Sequence, residues 1–332
     1  MLRKYHAHIC FVLVAGTLLV AYPPHGARPV VDEALQQAAL QFTQISHRVE
    51  AGAEQGGGTP MYVSGPQDWK FVAFYATVCT LARYVVNEVV LETLASVGGV
   101  KPEKRGRFKD QGWQGLYYLV AWLCGFSLLR GTEWGQAVMA GDPNPLFQDY
   151  PKGHVELSAE FKLYYLLQLC FWVHQLFVLY IEEWRKDMPL YLFHHFITIG
   201  LISASYLFNF TRVGTAILVE QDFADIFLPI ALMLKYLEWE TACEAFFAIF
   251  AVAWIPTRHV ILPWIYYRIW TVGDDPSLNM SDWDPASGSY MSAETIRVFL
   301  IALGIFQVLL AIWLKDLLFS IYRAVTSGEK ED

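Results

Sequence analysis

The sequence predicts an all-α fold, a polytopic membrane helix bundle of about seven to eight transmembrane helices. Three observations lead there. Of 332 residues, 55% are hydrophobic and only 17% charged, whereas a soluble domain carries about 25% charged residues. Mean hydropathy is positive, +0.31, and apolar runs recur along the chain at the ~20-residue length that crosses a bilayer. The third observation is local. His194 and His195 sit inside one apolar run, and Glu220, Asp222 and Asp225 inside the next. Ionisable groups in a hydrophobic span are expensive and mark a functional site by default.

Residues 1–22 place Arg3 and Lys4 before ICFVLVAGTLLVAY, a pattern that suits a cleaved signal peptide or a short membrane anchor. The anchor is favoured, because no cleavage site stands out before Pro23. Val31, Leu35, Ala38, Phe42, Ile45 and Val49 fall at helical spacing, which makes 31–50 an amphipathic surface helix or, equally, a loosely ordered tail. Gly52 to Gly58 is a linker. Seven spans follow, at 69–95, 112–130, 160–182, 189–208, 213–236, 242–267 and 295–322. The first is the weakest, since Arg83, Glu88 and Glu92 crowd its second half and would lift it out of the bilayer. Pro229 and Pro256 should kink their helices, which a bundle tolerates. The chain thus divides into 1–65 (anchor, amphipathic segment, linker), 66–111 (first core-proximal helix and basic loop), 112–325 (main bundle) and 326–332 (short acidic tail).

Loop charge sets the orientation. Lys101, Lys104, Arg105, Arg107 and Lys109 follow the first of the seven spans, and Arg185 with Lys186 follow the third. Both loops fall on one side, which the positive-inside rule makes cytosolic. The acidic 131–158 and 268–294 loops then face the lumen, where Asn279-Met-Ser281 matches a glycosylation acceptor. Asn209-Phe-Thr211 matches too, but hugs the membrane. A net charge of −8 gives no support to a nucleic-acid partner, and the five scattered cysteines lack metal or redox spacing.

On this topology the histidine pair lies roughly 9 Å inside the cytosolic end of its helix. Asp222 and Asp225, three apart, share a face of the adjacent helix. Thr198 is one turn beyond His194 and can hydrogen-bond within the site. Imidazole with carboxylate is a general base near neutral pH, or a nucleophile that forms an acyl-imidazole. A histidine-box metal enzyme, such as an elongase or hydroxylase, needs several histidine clusters, and this chain has one HH pair. No metal site is therefore expected. His174 and His259 stand alone and read as packed, hydrogen-bonding residues, while Glu220 either pairs with Arg212 or faces a cavity.

At these residues the chain resembles the TLC-domain ceramide synthases, the longevity-assurance family. The matching pieces are Arg185-Lys186-Asp187, His194-His195 with Thr198, Tyr206, Asn209, Arg212-Val213-Gly214, and Asp222 with Asp225 ahead of Lys235-Tyr236. YYLLQLCFWVHQLFVLY and AIFAVAWIPTRH also look like the family, and the likeness spans Trp69 to Tyr322. Gln221 stands where many members have histidine, and together with Asn209-Phe-Thr-Arg212 and Leu228-Pro229 this looks like the fungal branch. The departure weighs against a mechanism needing a base at 221, but not against one based on the HH pair. The resemblance implies a six-helix TLC barrel within the catalytic domain at 112–325. It implies a multi-pass endoplasmic-reticulum enzyme that acylates the amine of a sphingoid base (sphinganine or phytosphingosine). Fatty acyl-CoA is then the co-substrate, no cofactor is required, and (dihydro)ceramide is the product. A homodimer, with a small single-span regulatory subunit in some fungal members, is implied as well. His194, His195, Asp222 and Asp225 are the expected catalytic residues, with an aspartate fixing the tautomer of His194. Thr198, Asn209, Arg212, Arg185 and Lys186 are the expected substrate-binding residues, the last two by Coulomb steering of acyl-CoA. The alternative is a TLC-type protein without catalysis, acting in lipid sensing or trafficking. It need not keep both the HH pair and the two aspartates.

Overall fold

The computed structural model describes residues 2–23, 32–49, 59–181, 188–272 and 283–326. The fold is an all-α membrane bundle with one two-stranded ribbon. In chain order the helices are α1 (Leu2–Ala21), α2 (Glu33–Thr43), α3 (Asp68–Val85), α4 (Glu92–Val97), α5 (Pro102–Arg130), α6 (Glu133–Met139), α7 (Lys152–Val155) and α8 (Ala159–Ile181). There follow α9 (Met188–Leu207), α10 (Thr211–Asp225), α11 (Phe227–Tyr236), α12 (Glu240–Pro256), α13 (Leu262–Thr271) and α14 (Ala293–Thr326). Strands β1 (Met61–Tyr62) and β2 (Leu157–Ser158) pair antiparallel.

Among the described residues, five helical stretches are long and apolar enough to cross a membrane: Asp68–Val97, Ala159–Ile181, Met188–Leu207, Glu240–Thr271 and Ala293–Arg323. The two other expected spans are helical too, as α5 and as α10 with α11, but their polar residues dilute them. The amphipathic segment is helical only over α2, where the Asp32 side chain accepts from Ala34 N–H at the N-terminus. The Gly52–Gly58 linker lies outside the described residues.

Local chemistry explains the breaks. Pro256 ends α12, and a π-helical turn (Thr257–Ile261), which holds one more residue in each hydrogen-bonded loop than an α-helix, joins it to α13. Pro229 sits in the first turn of α11, after the interruption at Ile226 that separates it from α10. Both prolines thus sit at interruptions of their spans. A second π-turn (Val86–Leu91) joins α3 to α4. The charges that weakened this span are neutralised by α5, which starts ten residues before the expected span and makes the basic loop helical. Arg83 reaches Asp110 at 2.5 Å, and Lys109 reaches Glu88 at 2.9 Å and Glu92 at 3.0 Å. Arg105 adds a 2.8 Å pair to Glu92. This charged collar marks one end of the bundle.

The other end is closed by loops. The Tyr150 hydroxyl donates to the Phe208 carbonyl at 3.0 Å and accepts the Tyr290 N–H at 2.8 Å, so both long acidic loops meet there. Lys162, wholly buried, lies 2.9 Å from Asp68 and donates to the carbonyls of Ser46 and Val63 at 2.9 and 2.7 Å. The Tyr206 hydroxyl donates to the same carboxylate at 2.8 Å, which pins the N-terminal segment to α8 and α9.

Candidate active site

Helices α8, α9, α10 and the α12–α13 turn bring the intramembrane ionisable groups to one constriction between two chambers. The inner chamber, about 120 Å³, is walled by apolar side chains such as Leu201, Ile217, Leu218, Ile269, Phe299 and Leu303. It extends from Asp222 and Asp225 toward the loop end at Phe147, Phe210 and Met291. The outer chamber is larger, about 500 Å³, and opens toward the collar end, with Asp110, Gln111 and Ser320 among its walls. His194, Trp172, Gln221, Asp225 and Phe306 line both.

His194 is therefore the imidazole that both chambers share. Its ring stacks on Phe306 at 5.4 Å and stands edge-on to Trp313 and Trp172 at 5.1 and 5.4 Å. Its Nδ1 lies 3.5 Å from the Thr198 hydroxyl. His195 lines the outer chamber only, among the chambers described. Its Nδ1–H donates to the Tyr191 carbonyl at 2.7 Å, one helical turn back, which leaves the Nε2 lone pair to accept a proton.

The two aspartates share a face, as their spacing requires, but have different partners. Asp222 is buried and accepts from Gln168 Nε2 at 2.6 Å. Gln168 is held in turn by the Tyr117 hydroxyl at 2.5 Å and bonds the Tyr164 hydroxyl at 3.0 Å. Asp225 lies 2.7 Å from the guanidinium of Arg258, which is only 2% exposed. The same guanidinium donates to the Gln221 carbonyl and the Thr257 hydroxyl, both at 2.8 Å. The π-turn after Pro256 places Arg258 there. The expected carboxylate on the His194 ring is thus replaced by Thr198 and three aromatic rings, because Arg258 and Gln168 engage the acids.

Sequence reasoning also missed Arg258, Gln168 and Trp172. A basic residue two positions after Pro256 inside an apolar run was the one available signal for Arg258. Gln168 and Trp172 are common residue types in a wall and carry no signal of their own.

Of the expected binding residues, Thr198 lines the inner chamber beside His194. Arg212 and Asn209 do not reach it. Arg212 donates to the carbonyls of Pro145, Gln148 and Gly153 at 3.0, 3.3 and 2.8 Å, and stacks over Trp134. Asn209 takes a positive φ of 59° at the α9–α10 corner and donates to the Gly288 carbonyl at 2.9 Å. Both tie down the closing loops. Glu220 does not pair with Arg212 either, and accepts instead from Gln221 at 2.9 Å. Arg185, Lys186 and Asn279 lie outside the described residues. His174 and His259 are packed, hydrogen-bonding residues: His174 meets the Thr80 hydroxyl at 2.9 Å, and His259 meets Gln307 at 3.1 Å. Beside Arg212, the buried His154 donates Nε2–H to the Gln148 carbonyl at 2.9 Å. Burial, reinforced by the Arg212 charge, pushes its pKa down to about 4.

The family model described as the TLC domain matches residues 107–318. The chain is 34% identical to "Sphingosine N-acyltransferase lag1" of Schizosaccharomyces pombe, over 91% of this chain and 74% of that protein. It is 30% identical to "Ceramide Synthase FUM18" of Gibberella moniliformis, over 91% of this chain and 72% of the relative. It is 29% identical to "Ceramide synthase 4" of Bos taurus, over 68% and 52%.

Proposed function

Because the chain belongs to the TLC-domain family, we propose that its two chambers perform the reaction for which its relatives are named, ceramide synthesis. It is a membrane acyltransferase that moves a fatty acyl group from acyl-CoA to the amine of a sphingoid base. The observation that carries this reading is the position of His194 where an apolar chamber meets one with both polar and apolar walls. A thioester presented there has its acyl chain in the inner chamber and its CoA in the outer. A non-catalytic lipid sensor has no use for this division, or for imidazole and carboxylate at the junction.

In the first half-reaction the free ring nitrogen of His194, Nε2, attacks the thioester carbonyl. The C–N bond forms, the C–S bond breaks, and CoA leaves as a thiolate that takes a proton from solvent. Thr198 and the aromatic rings orient the imidazole. The Asp225 carboxylate, paired with Arg258, offsets the guanidinium's charge near where the acyl-imidazolium forms. In the second half-reaction the sphingoid base, which enters as an ammonium, first gives one proton to solvent, and the free amine attacks the acyl carbon from the outer chamber. His195 Nε2 takes the second proton from nitrogen, the acyl–imidazole bond breaks, and the amide is released. No step calls for a metal or other cofactor. The collar end, with its lysines and arginines, faces the cytosol, where acyl-CoA is found, and the membrane is that of the endoplasmic reticulum. The active assembly is a homodimer, which a small single-span subunit joins.

The test separates the two histidines. In membranes carrying His194→Ala, both CoA release and amide formation are lost. His195→Ala keeps an initial burst of CoA release, with hydroxylamine-trappable acyl-enzyme, while amide formation falls about 10²- to 10⁴-fold. Full acyl transfer by His194→Ala would remove the assignment.

A further inference from the structure

The outer chamber has walls of two kinds. Gln111, Gln114 and Tyr118 lie on one face of α5 at spacings of three and four, spanning about 10 Å from the mouth toward the constriction. Gln175 adds a third amide from α8. Among the described residues none of the three amides, nor the Tyr118 hydroxyl, has a hydrogen-bond partner within the protein. Opposite stands an apolar wall from α12 and α14, with Phe250, Trp254, Leu310 and Leu317. The charged groups that line the chamber are Asp225, paired with Arg258, Asp110, paired with Arg83 from α3, and Asp316 at the exposed end, 3.9 Å from Lys315.

We infer that the α5 amide–hydroxyl ladder with Gln175 is the recognition site for the polar head of the acceptor, the hydroxyl-bearing end of the sphingoid base. This rests on the proposed function and adds which wall reads the second substrate. Amides supply both donors and acceptors, as vicinal hydroxyls require. Among the described residues the one cation that lines the chamber, Arg258, is already paired, so the phosphates of CoA stay outside while only the pantetheine arm reaches in. The facing apolar wall takes the single hydrocarbon tail. The ladder ends beside Asp225 and the histidines, so a head held on it presents its amine to His195 and to the acyl group on His194.

Membranes expressing the full chain with Gln114→Leu, Gln175→Leu or both are assayed with sphinganine and with 1-deoxysphinganine, which lacks one hydroxyl. The KM for sphinganine rises about tenfold per amide removed, with less effect on 1-deoxysphinganine. The KM for acyl-CoA and the CoA-release burst stay at wild-type values, and the burst reports that the variant is folded. Gln114→Lys supplies a second probe: it weakens the cationic base further while leaving or lowering the KM for acyl-CoA. A raised acyl-CoA KM with unchanged sphinganine KM would assign the ladder to pantetheine and overturn the inference. Equal losses with both bases would overturn it too. Wild-type membranes that release CoA from no acyl-CoA and form no amide would instead bring down the function on which it rests.

Discussion

The Asp225–Arg258 pair joins stability to chemistry, and the two can be pulled apart by mutation. Arg258→Met removes a guanidinium that is 2% exposed and lies 2.7 Å from a carboxylate that is 29% exposed. Breaking a fully buried pair costs about 3–5 kcal/mol, because the remaining charge is left without compensation. Asp225 retains contact with the cavity, so the expected loss is lower, about 2–3 kcal/mol. Three further hydrogen bonds made by Arg258 and its backbone, to Gln221, Thr257 and Gln307, fall in the same region. The double variant Arg258→Met/Asp225→Leu has no orphaned charge, so it should recover most of that stability and remain inactive. Thermal inactivation of detergent-solubilised protein, followed by size-exclusion chromatography, gives the coupling between the two sites. Turnover in membranes gives the chemistry. If Arg258→Met is as stable as wild type, the ion pair is incidental. If the double variant turns over normally, Asp225 has no part in the reaction.

Three other outcomes follow from the geometry. Ile217 lies about 12 Å along α10 from Asp225, so Ile217→Trp blocks the inner chamber part-way. The product profile should shift toward shorter acyl chains by tenfold or more, read by mass spectrometry of the ceramides formed. Gly214→Ala builds a Cβ into the Tyr165 hydroxyl and 3.0 Å from Ser205 Oγ, a clash worth about 1–3 kcal/mol; a thermal midpoint equal to wild type would contradict the packing. His154 is neutral when folded, with its pKa lowered from 6.5 to about 4. The unfolded chain therefore binds more protons between those values, and stability falls as pH drops through about 6.5 toward 4, by about 3 kcal/mol at most. Thermal midpoints measured from pH 7 to 4.5 should fall, and His154→Asn should flatten that slope.

Most of the bundle was legible because a membrane imposes one strong rule, that backbone polar groups be satisfied within each span. Apolar length therefore announces helices, and the spans at Ala159–Ile181 and Met188–Leu207 match the expected 160–182 and 189–208 closely. The rule says little where helices are tied to one another by charge. The early start of α5 went unseen, since Lys101 to Lys109 look like a loop until Glu88, Glu92 and Asp110 are there to meet them. The site divides in the same way. His194, His195, Asp222 and Asp225 stood out because each is costly in its span. Arg212 and Asn209 were expected on the family resemblance alone, between two spans, and their polar groups are met by loop carbonyls far along the chain. Sequence marks an expensive residue without saying whether loop carbonyls or a substrate will satisfy it.

The arrangement at the constriction follows from what the two substrates have in common and where they differ. Each has a long apolar chain, so hydrophobic burial alone cannot send them to different places. What distinguishes them is the head: a polyanion on a flexible arm in one case, a small cationic amino alcohol in the other. A site that reads both needs one apolar slot for the chain that is transferred. It also needs a second compartment in which polarity and charge choose the acceptor. His194 faces both compartments, whereas His195, its Nδ1 fixed to the Tyr191 carbonyl, faces only the outer one. On the proposed mechanism, two adjacent residues on one helix, about 100° apart around its axis, serve different half-reactions. Adjacency in sequence would then aim one imidazole at the acyl carbon and the other at the incoming amine.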